Sequence, residues 1–334
     1  MNKFQHFQSR TRSPDPDRQL LAQLADGGVH SGADLAHILG VTRTAIWKRL
    51  AGLTARGVQL DRIRGRGYRL AQPVDLLDAD RIQSGLRPGI RAVLQEVRVD
   101  FFTDSTSQQL LQAPDCHGRV WLAEFQSNGR GRRGNTWISP LASGICMSLG
   151  WRLEAAPADA GALSILAGAA LIRALHRIGV RGIGLKWPND LMYQGCKAGG
   201  LLIESRAQLA GPMEIVIGVG LNVRLPRGME VAGDNQPADL SQCCAHPPAR
   251  NEIVVVVVEE LVDMLTALSA GKISAYRDEW RQHDLSIGHA AELRLAAESL
   301  HGHVLGISDA GLLRMSVNGV EREFASGELS LRLR

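Results

Sequence analysis

Three short apolar-periodic segments, each closed by a glycine, are crowded into residues 17–57, and a basic Arg64-Gly65-Arg66-Gly67 turn follows soon after. A glycine just past a helix end readily takes the left-handed conformation that stops it, so this spacing admits only short helices. The first spans residues 17–27, with Leu20, Leu21 and Leu24 on one face and Gly27 past its end. Ser31 can cap a second over residues 33–39, which stops at Gly40. Thr42 can cap a third over residues 43–55, which stops at Gly57 and turns Ile46, Leu50 and Leu53 inward. Residues 58–70 then read as extended, with the Arg-Gly repeat at a hairpin tip.

Three helices and a basic hairpin are the pattern of a winged helix-turn-helix, here over residues 17–72 behind a leader, residues 1–16, expected to be disordered. The charge agrees. Residues 1–72 carry 12 Lys/Arg against 5 Asp/Glu, a net of +7, whereas the remainder carries 26 against 29, a net of −3. A basic module on a slightly acidic body points to a polyanionic partner for the module alone. Arg43, Thr44, Trp47 and Lys48 lie on the outward side of the third helix, and Arg62, Arg64 and Arg66 on the wing, where cations can meet phosphates and guanine edges. Trp47 has two readings, contact with DNA or packing against the first helix.

Residues 73–88 read as a linker to an α/β body. Strands are expected at 97–102, 120–125, 145–151, 201–204 and 215–220, and an Ala/Leu-rich helix at 160–178. Residues 251–269 contain five consecutive valines, which favour a strand, yet Ile253, Val256, Val257, Leu261, Met264, Leu265 and Leu268 form a helical face that Asn251 can cap. A helix is the expectation. From about residue 285 the pattern changes to short alternating strands, 291–295 and 313–317, with turns at Asp309-Ala310-Gly311 and Asn318-Gly319, which suits a small β-barrel. No apolar run approaches the roughly 20 residues of a membrane span. The N-terminus lacks the apolar stretch of a secretory signal. Five cysteines without zinc-ligand spacing read as free thiols, and a reducing cytoplasm is the expected location.

Five segments could carry chemistry. Residues 129–134, Gly-Arg-Gly-Arg-Arg-Gly, match G-x-G-x-x-G, but Asn135-Thr136-Trp137-Ile138-Ser139-Pro140 follows and reads as extended, so no dinucleotide-binding helix opens there. No Gly-Lys-Ser/Thr ending makes it a phosphate-binding P-loop either. The segment is an anion cradle of forked Arg donors, or a solvated basic loop. Lys186-Trp187-Pro188-Asn189-Asp190 follows apolar Ile183 and Leu185, so Lys186 is either held in a site to stabilise phosphoryl charge or is a surface lysine before a turn. Lys197-Ala198-Gly199-Gly200 leads into a strand. Gly218 and Gly220, before Asn222, leave one strand face bare for a flat ligand or for close packing. Ser105, Thr106 and Ser107, after Asp104, offer hydroxyls or cap a helix.

Taken in this order, the motifs resemble the bifunctional bacterial biotin–protein ligase and biotin operon repressor family, over nearly the whole chain after the leader. The resemblance implies a winged helix, a central α/β ligase domain with a mixed sheet over residues 73–284, and an SH3-like barrel over residues 285–334. It implies an enzyme that consumes ATP with Mg²⁺ to form biotinyl-5′-adenylate and passes biotin to a lysine of the biotin carboxyl carrier protein of acetyl-CoA carboxylase, without a tightly bound cofactor. Lys186, Arg130 and Arg132 would be catalytic. Ser105, Thr106, Ser107 and Gln126 would bind the biotin head group. Arg130, Gly131 and Arg132 would fold over biotin and the adenylate phosphate. Lys197, Gly199, Gly200, Gly218 and Gly220 would line the pocket, with Asn222 near the nucleotide. The metal ligands are not assignable; Asp190 is one candidate. A homodimer, formed when adenylate is bound, would repress biotin synthesis genes at operator DNA. Two features depart from the family. Ser107 stands where an Asn is frequent, and residues 223–240 lack the Trp that a better-known repressor places near adenine. A biotin-sensing regulator without transferase activity and a lipoate ligase are the competing readings. The intact Arg loop and Lys186 argue against the first, and the paired motifs and DNA module against the second.

Overall fold

A computed structural model describes residues 15–154, 162–206, 212–229, 237–244, 246–294, 299–325 and 330–333. Most of the leader expected to be disordered lies outside these residues. The chain divides into two units, residues 1–74 and 75–334.

In the first unit α1 (Pro16–Leu24), α2 (Gly32–Ile38) and α3 (Arg43–Ala55) precede a hairpin of β1 (Leu60–Ile63) and β2 (Gly67–Leu70). Asp15 caps α1, accepting from the Asp17 amide at 2.8 Å, so the helix opens one turn position earlier than its leucine pattern indicates. Ser31 and Thr42 cap α2 and α3 as expected. Gly27, Gly40 and Gly57 all have positive φ. Leu20, Leu21, Leu24, Leu35, Ile46, Leu50 and Leu53 close the core. Trp47 is not part of it. It stands 57% exposed, so its packing alternative is ruled out. Gly67 is required where it is: a Cβ there would lie 2.0 Å from the His30 carbonyl oxygen. That approach lets His30 and Tyr68 exchange backbone bonds at 2.8 and 2.9 Å, fixing the wing to the segment before α2.

In the second unit the expected linker is largely helical. Asp78 caps α4 (Ala79–Gly85), and Pro88 opens α5 (Pro88–Val93). Next come β3 (Glu96–Thr103), α6 (Thr106–Gln112), β4 (Arg119–Gln126), β5 (Gly144–Leu153) and α7 (Leu163–Arg177). They are followed by β6 (Gly184–Lys186), β7 (Asp190–Tyr193), β8 (Cys196–Arg206) and β9 (Met213–Asn222), then α8 (Arg250–Ser269) and α9 (Ser274–His283). The sheet order is β3-β4-β5-β9-β8-β7-β6, parallel only between β3 and β4 and thus mixed. Ile145, Met147 and Leu149 of β5 and Ile215, Ile217, Val219 and Leu221 of β9 join the main core with α7 and α8. The alternate residues face the other way, as pleating requires. The five-valine run is helical because burial decides: Val254, Val257 and Val258 are fully enclosed in that core. Asn251 does not cap α8, whose N-cap is Ala249. Its side chain instead accepts from the Asp78 amide at 2.9 Å and donates to the Leu76 carbonyl at 2.9 Å.

Beneath the start of this unit lies a buried ion pair. Arg250 donates to Glu124 at 2.7 Å and to the Gly144 carbonyl at 2.6 and 2.9 Å, while Glu124 also accepts from the Leu77 amide at 2.6 Å. Four segments (residues 75–77, β4, β5 and α8) are thereby fastened together.

The C-terminal strands β10 (Ala290–Arg294), β11 (Ser299–Ile307), β12 (Leu313–Val317), β13 (Val320–Phe324) and β14 (Ser330–Leu333) form an antiparallel sheet in the order β13-β12-β11-β10-β14. Leu295, expected in the first of these strands, lies outside the described residues. Asn318 and Gly319 both have positive φ, the requirement of a tight hairpin turn. This sheet is tied to the larger one: Leu185 of β6 bridges to Asp284 in parallel, and the Leu285 amide donates to the Leu185 carbonyl at 2.9 Å. Among the described residues no helix is long and apolar enough to cross a membrane.

Candidate active site

The pleat face of β5 and β9 turned from the core opens onto a cleft of about 1220 Å³. It is bounded by the start of α6, the loop after β4, the β6–β7 turn, β8 and β14. The drug-sized pockets of proteins run to roughly 1,000 Å³, so this one has room for an acid and a nucleotide together.

At one end are hydroxyls. Gln126 at the end of β4 accepts through Oε1 from the Thr106 amide at 2.8 Å and from its hydroxyl at 3.1 Å. Ser148 of β5 lies 2.8 Å from the Thr106 hydroxyl and 3.0 Å from that of Ser107. All three hydroxyl residues are buried, so a fixed network of donors and acceptors stands ready for a polar head group. Ser105 keeps its capping part, accepting from the Gln108 amide at 3.4 Å. The capping reading holds for Ser105, while the Thr106 and Ser107 hydroxyls are joined to Ser148.

The Gly-Arg segment is a folded loop. Gly131 donates to the Asn135 carbonyl at 2.7 Å and Trp137 to the Gly129 carbonyl at 2.9 Å, which turns the chain back on itself. Arg130 meets Glu204 at 2.6 Å, and Arg132 donates to the Asn189 carbonyl oxygen of the side chain at 3.2 Å. Asn189 is in turn held to β8, donating to the Leu201 carbonyl at 2.6 Å. Burial lowers the pKa of Arg132, so its charge stands in a poorly solvated place.

Lys186 ends β6 and faces Asp190 across the β6–β7 pair. Burial lowers its pKa from the ordinary 10.5; Asp190 opposes this and the charges of Lys197 and Arg332 add to it. Lys197 is ion-paired with Asp190 at 2.6 Å, so this carboxylate is held between two ammonium-bearing strands.

The glycines work differently from expectation. A Cβ on Gly220 would lie 2.5 Å from the Trp137 ring, one on Gly218 would lie 2.8 Å from the Ser107 hydroxyl, and one on Gly200 would lie 3.2 Å from the Lys197 stem. The bare strand face thus makes room for three side chains that line the cleft, not directly for a flat ligand. Gly199 does not line it. Its missing Cβ faces Leu221 at 2.6 Å and Leu191 at 3.6 Å, on the core side. The cause is a register shift between Leu191 and Met192, which inserts an extra residue, Ala198, and moves the following residues to the opposite face. Asn222 borders the cleft, but its amide donates to the Ala238 carbonyl at 2.9 Å, pinning that segment to β9. Met229 and Pro237 also border the cleft.

Sequence reasoning missed Trp137, Ser148, Glu204, His289 and the β14 residues Leu331, Arg332 and Leu333; all but Ser148 and Glu204 line the cleft. Gly220→Val is expected to expel the Trp137 ring and to destabilise this unit by about 1–3 kcal/mol, the cost of overpacking. Chemical denaturation compared with Gly89→Ala, where no atom lies within 4 Å of the added Cβ and the backbone is not left-handed, checks this.

On the other unit Arg43, Thr44, Trp47, Lys48, Arg62, Arg64 and Arg66 are all exposed, on α3 and the wing. An α-helix with a basic hairpin beside it can place cations against phosphates while side chains reach base edges.

Residues 100–222 match the Biotin/lipoate A/B protein ligase family, and residues 17–69 match an HTH domain. The bifunctional ligase/repressor BirA of Salmonella typhimurium is 35% identical over 315 residues, which covers 94% of this chain and 96% of that protein. Its Escherichia coli counterpart is 34% identical over 316 residues, with the same shares. Among solved structures, a biotin protein ligase from Aquifex aeolicus in complex with biotin and ATP superposes with a TM-score of 0.62, at 23% identity, over 72% of this chain and 100% of that one. That likeness bears on the fold.

Proposed function

Because the chain belongs to the family of bifunctional biotin–protein ligases and repressors, we propose that it activates biotin with ATP, transfers it to protein, and represses transcription from a biotin-responsive operator. The observation that carries the enzymatic reading is the convergence of Arg130, Arg132, Lys186 and Lys197 on one cleft whose other end is a hydroxyl network.

Two anions must meet in the first step. A carboxylate oxygen of biotin attacks the α-phosphorus of ATP; the new bond makes the mixed anhydride, and pyrophosphate leaves with the electron pair of the broken bond. In the second step a neutral lysine amine of the biotin carboxyl carrier protein attacks the acyl carbon. AMP leaves and the nitrogen loses a proton as the amide forms. Neither step needs a protein nucleophile. Each needs alignment and neutralisation of charge. We assign Lys186 to the carboxylate and α-phosphate and the Arg130–Arg132 loop to closing over them. Ser105, Thr106, Ser107 and Gln126 take the head group. Lys197 and Gly200 border the phosphates, and Gly218, Gly220 and Asn222 support the floor. Mg²⁺ enters with ATP as part of the co-substrate.

Residues 17–72 serve as the DNA module, residues 73–284 as the ligase domain and residues 285–334 as an SH3-like barrel. Five short antiparallel strands and the register shift between Val304 and Gly306 in β11, of the kind that curves a sheet, support the barrel reading. A homodimer formed on adenylate binding would present two such modules to a two-fold operator.

The test is a native mass spectrum of the protein with biotin and Mg-ATP, followed by a carrier domain. Retained biotinyl-adenylate and then one biotin on the carrier are expected. Biotin bound without adenylate would make the protein a sensor only, and no biotin at all would remove the reading. For DNA, each neutralised phosphate contributes about −0.9 to the slope of log K against log salt. Arg64→Ala with Arg66→Ala is expected to make that slope shallower by about 1.8 for each module, about 3.6 for the dimer, if both arginines neutralise phosphates; an unchanged slope would take the wing off the phosphates.

A further inference from the structure

Away from the cleft, where α7 ends against α9, three metal-ligating side chains come together. His176 is in the last turn of α7, and Glu279 and His283 are one turn apart on α9, hence on the same face. One ligand atom from each lies within 4.8 Å of the others. We propose that His176, Glu279 and His283 form a binding site for a divalent transition metal of the zinc class, distinct from the ligase cleft.

The donor set decides the class. Two imidazoles and one carboxylate, with a fourth position left to water, suit Zn²⁺ and its first-row neighbours; Mg²⁺ and Ca²⁺ take all-oxygen sets. The surroundings supply the supports that such ligands use. His283 Nδ1 lies 2.9 Å from the Glu279 backbone carbonyl and 3.4 Å from the Glu279 carboxylate, so this nitrogen carries the proton, Nε2 is the lone-pair nitrogen, and ligation turns the Glu279 carboxylate from Nδ1 toward the ion. Glu279 is held from behind by Arg173 at 3.1 Å, and Arg173 is itself anchored on the Ala275 carbonyl at 2.8 Å and over the Tyr276 ring. The His176 and His283 rings meet edge to face with centroids 5.1 Å apart. All three residues are partly exposed, which leaves an entry path. Tetrahedral ligation at about 2.0–2.1 Å brings ligand atoms to roughly 3.3 Å of one another, a closing that side-chain torsions can make. Arg173 and Arg181 are the nearby cations that oppose the ion. Arg181 is turned to the His176 and Val180 carbonyls, at 2.6 and 3.3 Å.

The consequence is a cross-link between two helices that pack on one another through Gly168 and Trp280. The full-length protein, stripped with a chelator, is titrated with Co²⁺ and Zn²⁺ in the absence of biotin and nucleotide. One Co²⁺ per chain with visible d–d bands and no thiolate charge-transfer band is expected, because Cys243 and Cys244 take no part. Zn²⁺ should displace it and raise the melting temperature. His176→Gln and His283→Gln should each weaken binding at least tenfold while leaving far-UV circular dichroism and adenylate formation unchanged. Wild-type protein that takes up no metal, or a spectrum dominated by thiolate, would overturn the site, as would full affinity in both variants. If one variant failed to fold, the other would decide.

Discussion

Lys186→Met is expected to slow adenylate formation by about 10²–10³-fold, roughly 2.7–4 kcal/mol of transition-state stabilisation, the range for removing one preorganised charge-stabilising donor. The ammonium sits at a strand end, half-enclosed, with Asp190 opposite and Lys197 and Arg332 near, so it is held where negative charge gathers. Pyrophosphate release in single turnover measures the loss. A reduction of less than tenfold would take Lys186 out of the chemistry. Stability should respond in the other sense. Burial lowers the pKa of Lys186 on folding, so the charged form is penalised at neutral pH, and its contribution to stability rises as pH climbs through that lowered value toward 10.5. The methionine variant should therefore melt no lower than wild type while losing activity. The same shift sets the alkaline limb of the wild-type rate, which should fall below the ordinary lysine range.

Arg250→Met should cost about 3–5 kcal/mol of folding free energy, because it strands the carboxylate of Glu124 in the interior. Glu124 is fully buried and Arg250 is 5% exposed, so water cannot take the place of the lost partner. The expected remedy is specific. Adding Glu124→Gln to Arg250→Met removes the stranded charge and should recover a large part of the loss, so the two effects fall well short of additive. Chemical denaturation of Arg250→Met, Glu124→Gln and the double variant reads this directly. Equal destabilisation by the double variant and Arg250→Met would mean that the bonds from Arg250 to the Gly144 and Asp75 carbonyls, not the charge pairing, dominate.

Much of this was legible in the sequence wherever the cause is local. Capping by Ser31 and Thr42, the glycine stops and the alternation along β4, β5 and β9 are decided within a few residues. The order of the glycines and cations in the chain was enough to suggest one site. What escaped depends on partners far away in the chain. Glu124 and Arg250 are remote in sequence, and nothing near either announces the other. Asn251 looked like a cap, but it is claimed by residues 75–78. The resemblance put both Gly199 and Gly200 at the pocket, and which of the two faces the core depends on a single bulged residue, Ala198, of which periodicity carries no mark. The two helices over residues 79–93 escaped because they are short and because Pro88, which opens the second, also suits a linker. Trp137 had no visible place until Gly220 was seen beneath it.

The bridge between Leu185 and Asp284 bears on how genetic lesions in this chain should behave. The strand that bears Lys186 is three residues long and leans on the segment from which the C-terminal sheet departs, and that sheet returns Leu331, Arg332 and Leu333 to the wall of the cleft. A frameshift that spares everything up to β13 still removes that wall. Nonsense and frameshift alleles late in the coding sequence should accordingly score with the active-site alleles and not with the silent ones.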